Sequence, residues 1–318
     1  MPQQPLPLPR GYAKRCEDED DLVAKLLARK LVVKDENELR RILRAIGYYR
    51  LTGYLYPFRK DPDRSEDFMD GTTLDHIWNI YKFDRRLRLV VMDALARIEV
   101  AIRVRVMEAH SAVCGGDPFA YCNPALLPGL NGQKFAKFLE SLDKSVRQSF
   151  ASNDPPVATH FKNHGQSRVP VWILMETLSF GDVCIYYQGL PHTAQQQVAN
   201  AFGIWPSAFR SWLDVLRRVR NICAHQGRLW NRKINFPLSY NFSNSAQLAD
   251  LYTCVSIQTA LPYTTLFTAL SLCAWMLHLI RPESLWQDRL KDLIAEFPAI
   301  PLADMGFPAN WQQLKLWQ

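Results

Sequence analysis

The sequence predicts an all-α fold, because apolar residues recur with a helical period and clear alternating strand patterns are scarce. The segment Ser211–Ala224 contains no glycine or proline, and its apolar residues fall on one arc of roughly 120° of a helical wheel. The segment Asp84–Met107 also predicts a helix, with a stripe spaced by threes and fours. The arc comprises Trp212, Val215, Leu216, Val219, Ile222 and Cys223, and the stripe comprises Leu87, Val91, Leu95, Ile98 and Ile102.

Three regions are expected along the chain. Residues 1–15 begin with a Pro-rich stretch and are predicted to be a flexible tail, residues 16–240 the main domain, and residues 241–318 a helical extension packed on it. The acidic run Glu17–Asp21 precedes an apolar run, Leu22–Leu27. Negative charge favours the first turn of a helix, so a helix is predicted to begin there.

Glycine and proline punctuate the middle of the chain. We expect Tyr48–Phe58 to be a turn-rich link, and Ser152–Pro170 to be a loop in which a stable helix is doubtful. A helix is predicted over Trp172–Phe180, ending near Ser179-Phe180-Gly181, and Phe202–Trp212 is expected to link it to the following helix. The aromatic residues of Tyr48–Phe58 could stack on bases beside neighbouring cations, but packing into the core is the favoured interpretation.

Charged pairs indicate which helix faces are exposed. On the Asp84–Met107 helix, Asp93 with Arg97 and Glu99 with Arg103 are i,i+4 pairs that predict a solvated face. Glu176 is the one acid of its predicted helix, where it could tune His225, pair with a nearby arginine, or simply be solvated.

Leu251–Ile280 contains no charged residue over a length that exceeds the ~20 residues needed to span a bilayer. Pro262 and several hydroxyl side chains interrupt it, so we favour a buried helix pair broken near Pro262 over a membrane-acting toxin. The aromatic residues of Pro282–Gln318 suggest docking onto the main body or onto a second subunit.

The cysteines favour a reducing compartment. All seven are dispersed without a Cys-x-x-Cys pair, and no signal peptide is evident, so we expect reduced thiols and a cytoplasmic protein. His110, Cys114 and Cys122 match no standard zinc spacing, and neither a metal nor another cofactor is expected. Cys223 lies on the apolar arc and is interpreted as a core residue.

Positive charge is concentrated in one segment. The whole chain carries a net charge of +7, and Ser207–Lys233 accounts for +6 of it, with seven cations against Asp214 alone. This segment contains Arg220-Asn221-Ile222-Cys223-Ala224-His225, in which Asn221 and His225 share a helix face. Gly227 is a plausible stop for this helix.

These residue types suit the cleavage of an RNA phosphodiester. Histidine can transfer a proton near neutral pH, arginine can hold a phosphate through two hydrogen bonds, and asparagine can orient a phosphate oxygen. The ribose 2′-hydroxyl supplies the nucleophile. We therefore predict His225 as the acid/base, with Arg220 and Asn221 on the phosphate. Other cations would hold the RNA backbone: Arg217, Arg218, Arg228, Arg232 and Lys233. The same surface would equally suit a protein that binds a structured RNA without cutting it.

The segment Val219–Arg232 resembles the Arg-(four to six residues)-His signature of HEPN nucleases and, more specifically, Abi-type proteins of abortive-infection phage defence, the AbiD/AbiF group. Ile46–Phe58 and Trp172–Gly181 resemble two further blocks of that family in the same order. The resemblance implies a HEPN-type helical bundle with additional N- and C-terminal helices, metal-independent RNA cleavage, and an active site formed where two HEPN units meet. It also implies Arg220, Asn221 and His225 as site residues, and allows a small noncoding RNA as partner.

The motif itself favours a homodimer. It occurs once, and on a helical wheel Arg220 lies roughly 140° from His225, so one helix does not easily direct both side chains at one phosphate. A second copy related by a two-fold axis could supply the missing half, whereas in a monomer Arg220 would simply face solvent.

Overall fold

The computed structural model describes residue 11 and residues 15–61, 63–235, 238, 248–256 and 263–318. Across these ranges the chain forms thirteen α-helices and several short 3₁₀ turns. The same residues form three isolated β-bridges and no strand. The all-α prediction is therefore confirmed. Nearly all of the predicted Pro-rich tail falls outside the described residues, and the expected boundary at residue 240 stays a prediction.

Two compact units divide the chain, Met1–Lys82 and Phe83–Gln318. In the first, α1 (Glu19–Ala28) begins with an acidic turn, as predicted, and Asp18 caps it by accepting from the Asp21 backbone N–H. It is followed by α2 (Glu36–Ile46) and α3 (Tyr48–Leu55).

Helix α3 corrects the prediction of a turn-rich link at Tyr48–Phe58. Gly47, at a φ of 74°, separates α2 from α3, and Pro57 lies in the 3₁₀ turn Tyr56–Phe58 after the helix. Only Gly53 lies within the helix, and one glycine costs about 1 kcal/mol. Burial of Leu51, Tyr54 and Leu55 holds the helix in place, as the core-packing interpretation expects for part of the aromatic block.

Helix α4 (Leu74–Val113) is longer at both ends than the prediction over Asp84–Met107. Its predicted apolar stripe, Leu87, Val91, Leu95, Ile98 and Ile102, is buried as expected. The pair Asp93–Arg97 is partly exposed, but Glu99 is only 7% exposed, and its pair with Arg103 lies in the interior. The prediction that Glu99 and Arg103 mark a solvated face is therefore wrong.

The second unit continues with α5 (Gly132–Ala151) and α6 (Pro155–His164), the latter inside a segment expected to be a loop. The helix-breaking residues flank α6 instead of interrupting it. Pro155 and Pro156 occupy its first turn, where a missing N–H is harmless, and Gly165 ends it at a φ of 76°.

The helix predicted over Trp172–Phe180 is two helices, α7 (Val171–Thr177) and α8 (Phe180–Gly189). Ser179 and Asp182 form a capping box, in which each side chain accepts from the other's backbone N–H, so Ser179 begins α8 and does not end α7.

Helix α9 (His192–Asn200) precedes α10 (Pro206–Ala224), which carries the motif. Helix α10 starts earlier than predicted, because Pro206 occupies the first helical turn where proline is favoured. All six residues of the predicted apolar arc are buried, and α10 packs against α8 and α9. The other side of the helix therefore carries its basic residues.

The C-terminal part of the second unit contains α11 (Ala249–Ser256), α12 (Leu266–Ile280) and α13 (Trp286–Glu296). The two helices expected within Leu251–Ile280 are present, while the proposed break at Pro262 lies outside the described residues. Among the helices described, none combines the length and apolarity that a bilayer crossing requires.

Two indole groups of the C-terminal segment make hydrogen bonds within this unit. The Trp286 indole donates to the Val90 carbonyl at 2.7 Å, and the Trp317 indole donates to the Ser271 hydroxyl at 3.2 Å.

Candidate functional site

The motif lies at the C-terminal end of α10, in a tightly closed turn. The Gly227 N–H donates to the Ile222 carbonyl at 2.8 Å, and the Gln226 N–H donates to the Cys223 carbonyl at 3.0 Å. These bonds form a Schellman closure, with Gln226 left-handed at a φ of 55°. Gly227, the predicted helix stop, follows the left-handed residue and does not occupy its position, and a Cβ there would lie 3.2 Å from the Ile222 carbonyl oxygen.

His225 is the C-cap residue of α10, and its side chain is exposed. Its backbone N–H donates to the Asn221 carbonyl at 3.0 Å. The imidazole makes no hydrogen bond with any residue in the described ranges. Both ring nitrogens are therefore open to a ligand.

Arg220 lies partly buried between Asn221 and an acid of α4. Its Nη1 donates to the Asn221 side-chain oxygen at 3.4 Å, and its Nε lies 3.5 Å from Oε2 of Glu99. Glu99 also pairs with Arg103. Arg103 in turn donates to the carbonyls of Met175 and Leu178 at 3.0 and 2.7 Å, at the α7–α8 junction. Glu99 and Arg103 of α4 thus connect the Arg220 guanidinium to the α7–α8 junction.

The partner of the motif arginine is thus Glu99 and not Glu176. Glu176 is exposed, and the described structure gives its carboxylate no ion pair, in keeping with the solvated interpretation.

A second buried pair, which sequence reasoning missed, holds the loop that follows His225. Asp84 is fully buried on α4 and accepts from the backbone N–H groups of Leu229 and Trp230 at 3.0 and 2.6 Å. Arg88, one turn later, pairs with Asp84 and donates to the Gly227 carbonyl at 3.3 Å. One signal was available: both charges fall on the apolar stripe of α4, where an ionised side chain requires a partner.

The predicted RNA-binding residues lie along α10 and the loop after it, and they differ in their exposure and contacts. Arg217 is partly exposed and lies 3.4 Å from Asp214. Arg218 and Arg232 are exposed. The Arg228 guanidinium lies 6.0 Å from the Trp230 ring centroid, and the Lys233 ammonium lies 4.9 Å from that of Tyr263. Cation–π contacts therefore stabilise the positions of Arg228 and Lys233, which continue the basic face beyond the helix.

Two other candidate side chains, those of Cys223 and His110, are buried. Burial raises the pKa of the Cys223 thiol to about 12, which suits the core role predicted for it and not a nucleophile. His110 is buried, with Nδ1 at 2.8 Å from the Tyr186 hydroxyl and Nε2 at 3.2 Å from the Leu126 carbonyl, and desolvation lowers its pKa. In the part of the chain that the structure describes, no group of three potential ligands could hold a metal ion.

His160 and His164, four residues apart on α6, have ring centroids 4.9 Å apart, on a different helix from the motif.

A family model described as Abi-like protein matches residues 41–231, more than half of the chain. The matched range contains Ile46–Phe58 and Trp172–Gly181 whole, and the motif segment as far as Asn231. No curated protein and no solved structure matches the chain.

Proposed function

The chain belongs to the Abi-like family, which suggests a role in abortive-infection phage defence, and from this premise we propose that it acts there as a ribonuclease toxin. The proposed activity is metal-independent endonucleolytic cleavage of RNA by a HEPN-type fold of the AbiD/AbiF group. The observation that carries the proposal is the exposed His225 imidazole at the end of a basic helix, four residues after Asn221, whose side-chain oxygen accepts from Arg220.

In the proposed reaction the ribose 2′-oxygen attacks the adjacent phosphorus, and His225 takes the 2′-hydroxyl proton as general base. The new P–O2′ bond forms as the P–O5′ bond breaks, and the departing 5′-oxygen receives a proton from an imidazolium. One fragment ends in a 2′,3′-cyclic phosphate and the other in a 5′-hydroxyl. The nucleophile belongs to the substrate, so the protein need supply only proton transfer and charge stabilisation.

Arg220 is assigned to the phosphate in the transition state. Arginine has five N–H donors in a fixed fork, and contacts with Glu99 and Asn221 involve only its Nε and Nη1 groups. The remaining donors on Nη2 can reach a phosphate oxygen while the Glu99 contact keeps the guanidinium in position. Asn221 would orient a second phosphate oxygen.

The cations around the motif are assigned to the RNA backbone. Phosphate contacts provide affinity and register without reading sequence, so these residues would position RNA of many sequences. They are Arg217, Arg218, Arg228, Arg232 and Lys233.

A homodimer would complete the proposed site. Helix α4 exposes Leu89, Val100 and Val104 along one line, next to the buried Glu99 that contacts Arg220. A two-fold axis near this apolar line would bury it against its own copy. It would also bring the motif of a second chain toward Arg220.

The alternative function is RNA binding without cleavage, with a structured noncoding RNA as partner. One observation favours it: Arg220 is paired with Glu99 and not directed at His225, whose ring has no described partner to fix its tautomer. Steep salt dependence of RNA affinity is expected under both functions and does not separate them.

Cleavage of total cellular RNA by the purified protein in EDTA separates the two functions. We expect fragments with 2′,3′-cyclic phosphate ends, and a loss of at least ~100-fold in rate for His225→Ala with RNA affinity nearly unchanged. His278→Ala is the matched control, since His278 is also exposed in the last turn of a helix, α12. Tight binding without cleavage, with or without an activator, would establish the binding function, and an absolute requirement for magnesium would contradict the proposed chemistry.

A further inference from the structure

A cavity in the second unit has no part in the proposed cleavage site. It lies between α5, α6 and the segment that leads into α7, and it encloses about 330 Å³. Binding sites for small molecules usually have volumes of roughly 300–1,000 Å³, so this one has room for a compact ligand.

The inner wall of the cavity is apolar and aromatic. Leu142 and Val146 of α5 are buried there together with Tyr121, and Phe161 of α6 also lines the wall. The Tyr121 hydroxyl donates to the Val169 carbonyl at 2.7 Å, so its polar group is already satisfied. The Tyr121 ring is only 2% exposed and closes the inner end of the cavity, so the half-buried Phe161 ring is the one on which a flat heterocycle can stack.

The cavity also carries an uncompensated positive charge. Arg168 pairs with Asp143, with Nε–Oδ1 and Nη2–Oδ2 distances both of 3.3 Å, so these two charges largely cancel. Arg147, one turn after Asp143 on α5, forms no hydrogen bond or ion pair within the described chain. An anion entering the cavity would therefore meet Arg147 as a free cation and Arg168 as a second donor group.

We propose that this cavity binds one nucleotide unit, with the base against Phe161 and the phosphate at Arg147. Ser167, exposed where it lines the cavity, would offer a hydroxyl to the phosphate or the ribose. A free nucleoside monophosphate and the 5′-phosphorylated end of an RNA strand present the same chemistry. The site is independent of the motif on α10, so it stands whether or not the chain cleaves RNA.

Calorimetric titration of the full chain tests the proposal. AMP, GMP, CMP and UMP are compared with their nucleosides, and we expect saturable binding of at least one monophosphate, at least about tenfold tighter than its nucleoside. Titration with tetranucleotides that carry a 5′-phosphate or a 5′-hydroxyl distinguishes a free nucleotide from an RNA end as the ligand. Preference for the phosphorylated strand over every monophosphate identifies an RNA end, and the opposite order identifies a free nucleotide.

Variants tie the binding to this cavity. Arg147→Ala removes the free cation, and Ser167→Trp fills the cavity from an exposed position, so far-UV circular dichroism should show both folded. We expect each to weaken binding by about tenfold or more. Lys144→Ala is the control, because it removes one exposed charge from the same helix outside the cavity. Absence of saturable binding at millimolar concentrations, or binding by the Arg147→Ala and Ser167→Trp variants as tight as that of the wild type, overturns the proposal.

Discussion

Oε2 of Glu99 lies 3.5 Å from Nε of Arg220, so an almost fully buried acid of α4 holds the arginine of the motif on α10. A carboxylate at this depth is stable only with cationic partners, and Arg103 supplies the other one. The charge of Glu99 favours a guanidinium position beside α4 before any ligand arrives. Such preorganisation is what a group that stabilises transition-state charge requires.

Glu99→Gln should therefore lower the rate of the proposed RNA cleavage, because Arg220 stays present but loses its charged partner. We expect kcat to fall by about tenfold or more, while KM for RNA changes by less than about threefold, because the arginine is present but no longer fixed by charge. Single-turnover and steady-state cleavage of a defined RNA separate the two constants.

Glu108→Gln is the control for this variant. Glu108 pairs with Arg105 on the same helix, but both side chains are exposed, so its replacement should leave cleavage unchanged. An equal effect of the two variants, or a rise in KM alone for Glu99→Gln, would contradict the positioning role.

Asp84→Ala should destabilise the fold strongly. The change leaves Arg88 buried without its carboxylate and removes the acceptor for the Leu229 and Trp230 N–H groups, a loss of about 3–5 kcal/mol in the free energy of unfolding. Urea denaturation measures it. Asp93→Ala, on the same helix but partly exposed beside Arg97 and Arg289, should cost no more than about 1 kcal/mol. Equal midpoints for the two variants would show that the Asp84 pair does not hold the loop.

The sequence predicts the faces of the helices well and their charged contacts poorly. The apolar arc of α10 follows from spacing alone, because helical geometry places those residues together in any tertiary context. An i,i+4 pair such as Glu99–Arg103 has the same spacing whether it is buried or exposed, and only packing against the α7–α8 junction buries it. The bonds from Asp84 to the Leu229–Trp230 backbone join distant parts of the chain and leave no local pattern.

The predicted helix boundaries differ from the observed ones for another reason. Glycine and proline in a sequence predict that a whole segment is broken, yet at α3 and α6 most of them occupy the helix ends, where they favour starts and stops. At the end of α10, Gln226 takes the left-handed conformation in place of the adjacent Gly227. A Cβ on Gly227 would make a tight contact of 3.2 Å with the Ile222 carbonyl oxygen.

Cys223 should resist alkylation in the native protein. Burial raises the pKa of its thiol from 9.0 to about 12, so almost no thiolate exists at pH 8, whereas Cys16 is exposed. Iodoacetamide followed by mass spectrometry should label Cys16 quickly, and Cys223 only after addition of urea.

The same shift predicts how stability depends on pH. Folding favours the neutral thiol, so this contribution is complete below the unfolded pKa near 9 and is lost as the pH rises toward about 12. The wild type should therefore lose more stability across this window than Cys223→Ala. Rapid native labelling of Cys223, or parallel pH profiles for the two proteins, would contradict its buried position.

Mixing two inactive variants tests the composite site of the proposed dimer. If Arg220 of one chain acts with His225 of the other, a heterodimer of Arg220→Ala and His225→Ala contains one site with both residues intact and one with neither. Random exchange of subunits makes half of the dimers mixed, so activity should return to about one quarter of the wild-type value. Each variant alone should stay inactive. Val100→Asp on the exposed line of α4 should abolish this restoration and shift light scattering toward the monomer mass, whereas Leu285→Asp, at another exposed apolar position, should not. Failure of the mixture to regain activity, with mixed dimers verified by differently tagged chains, would place both residues in the same subunit.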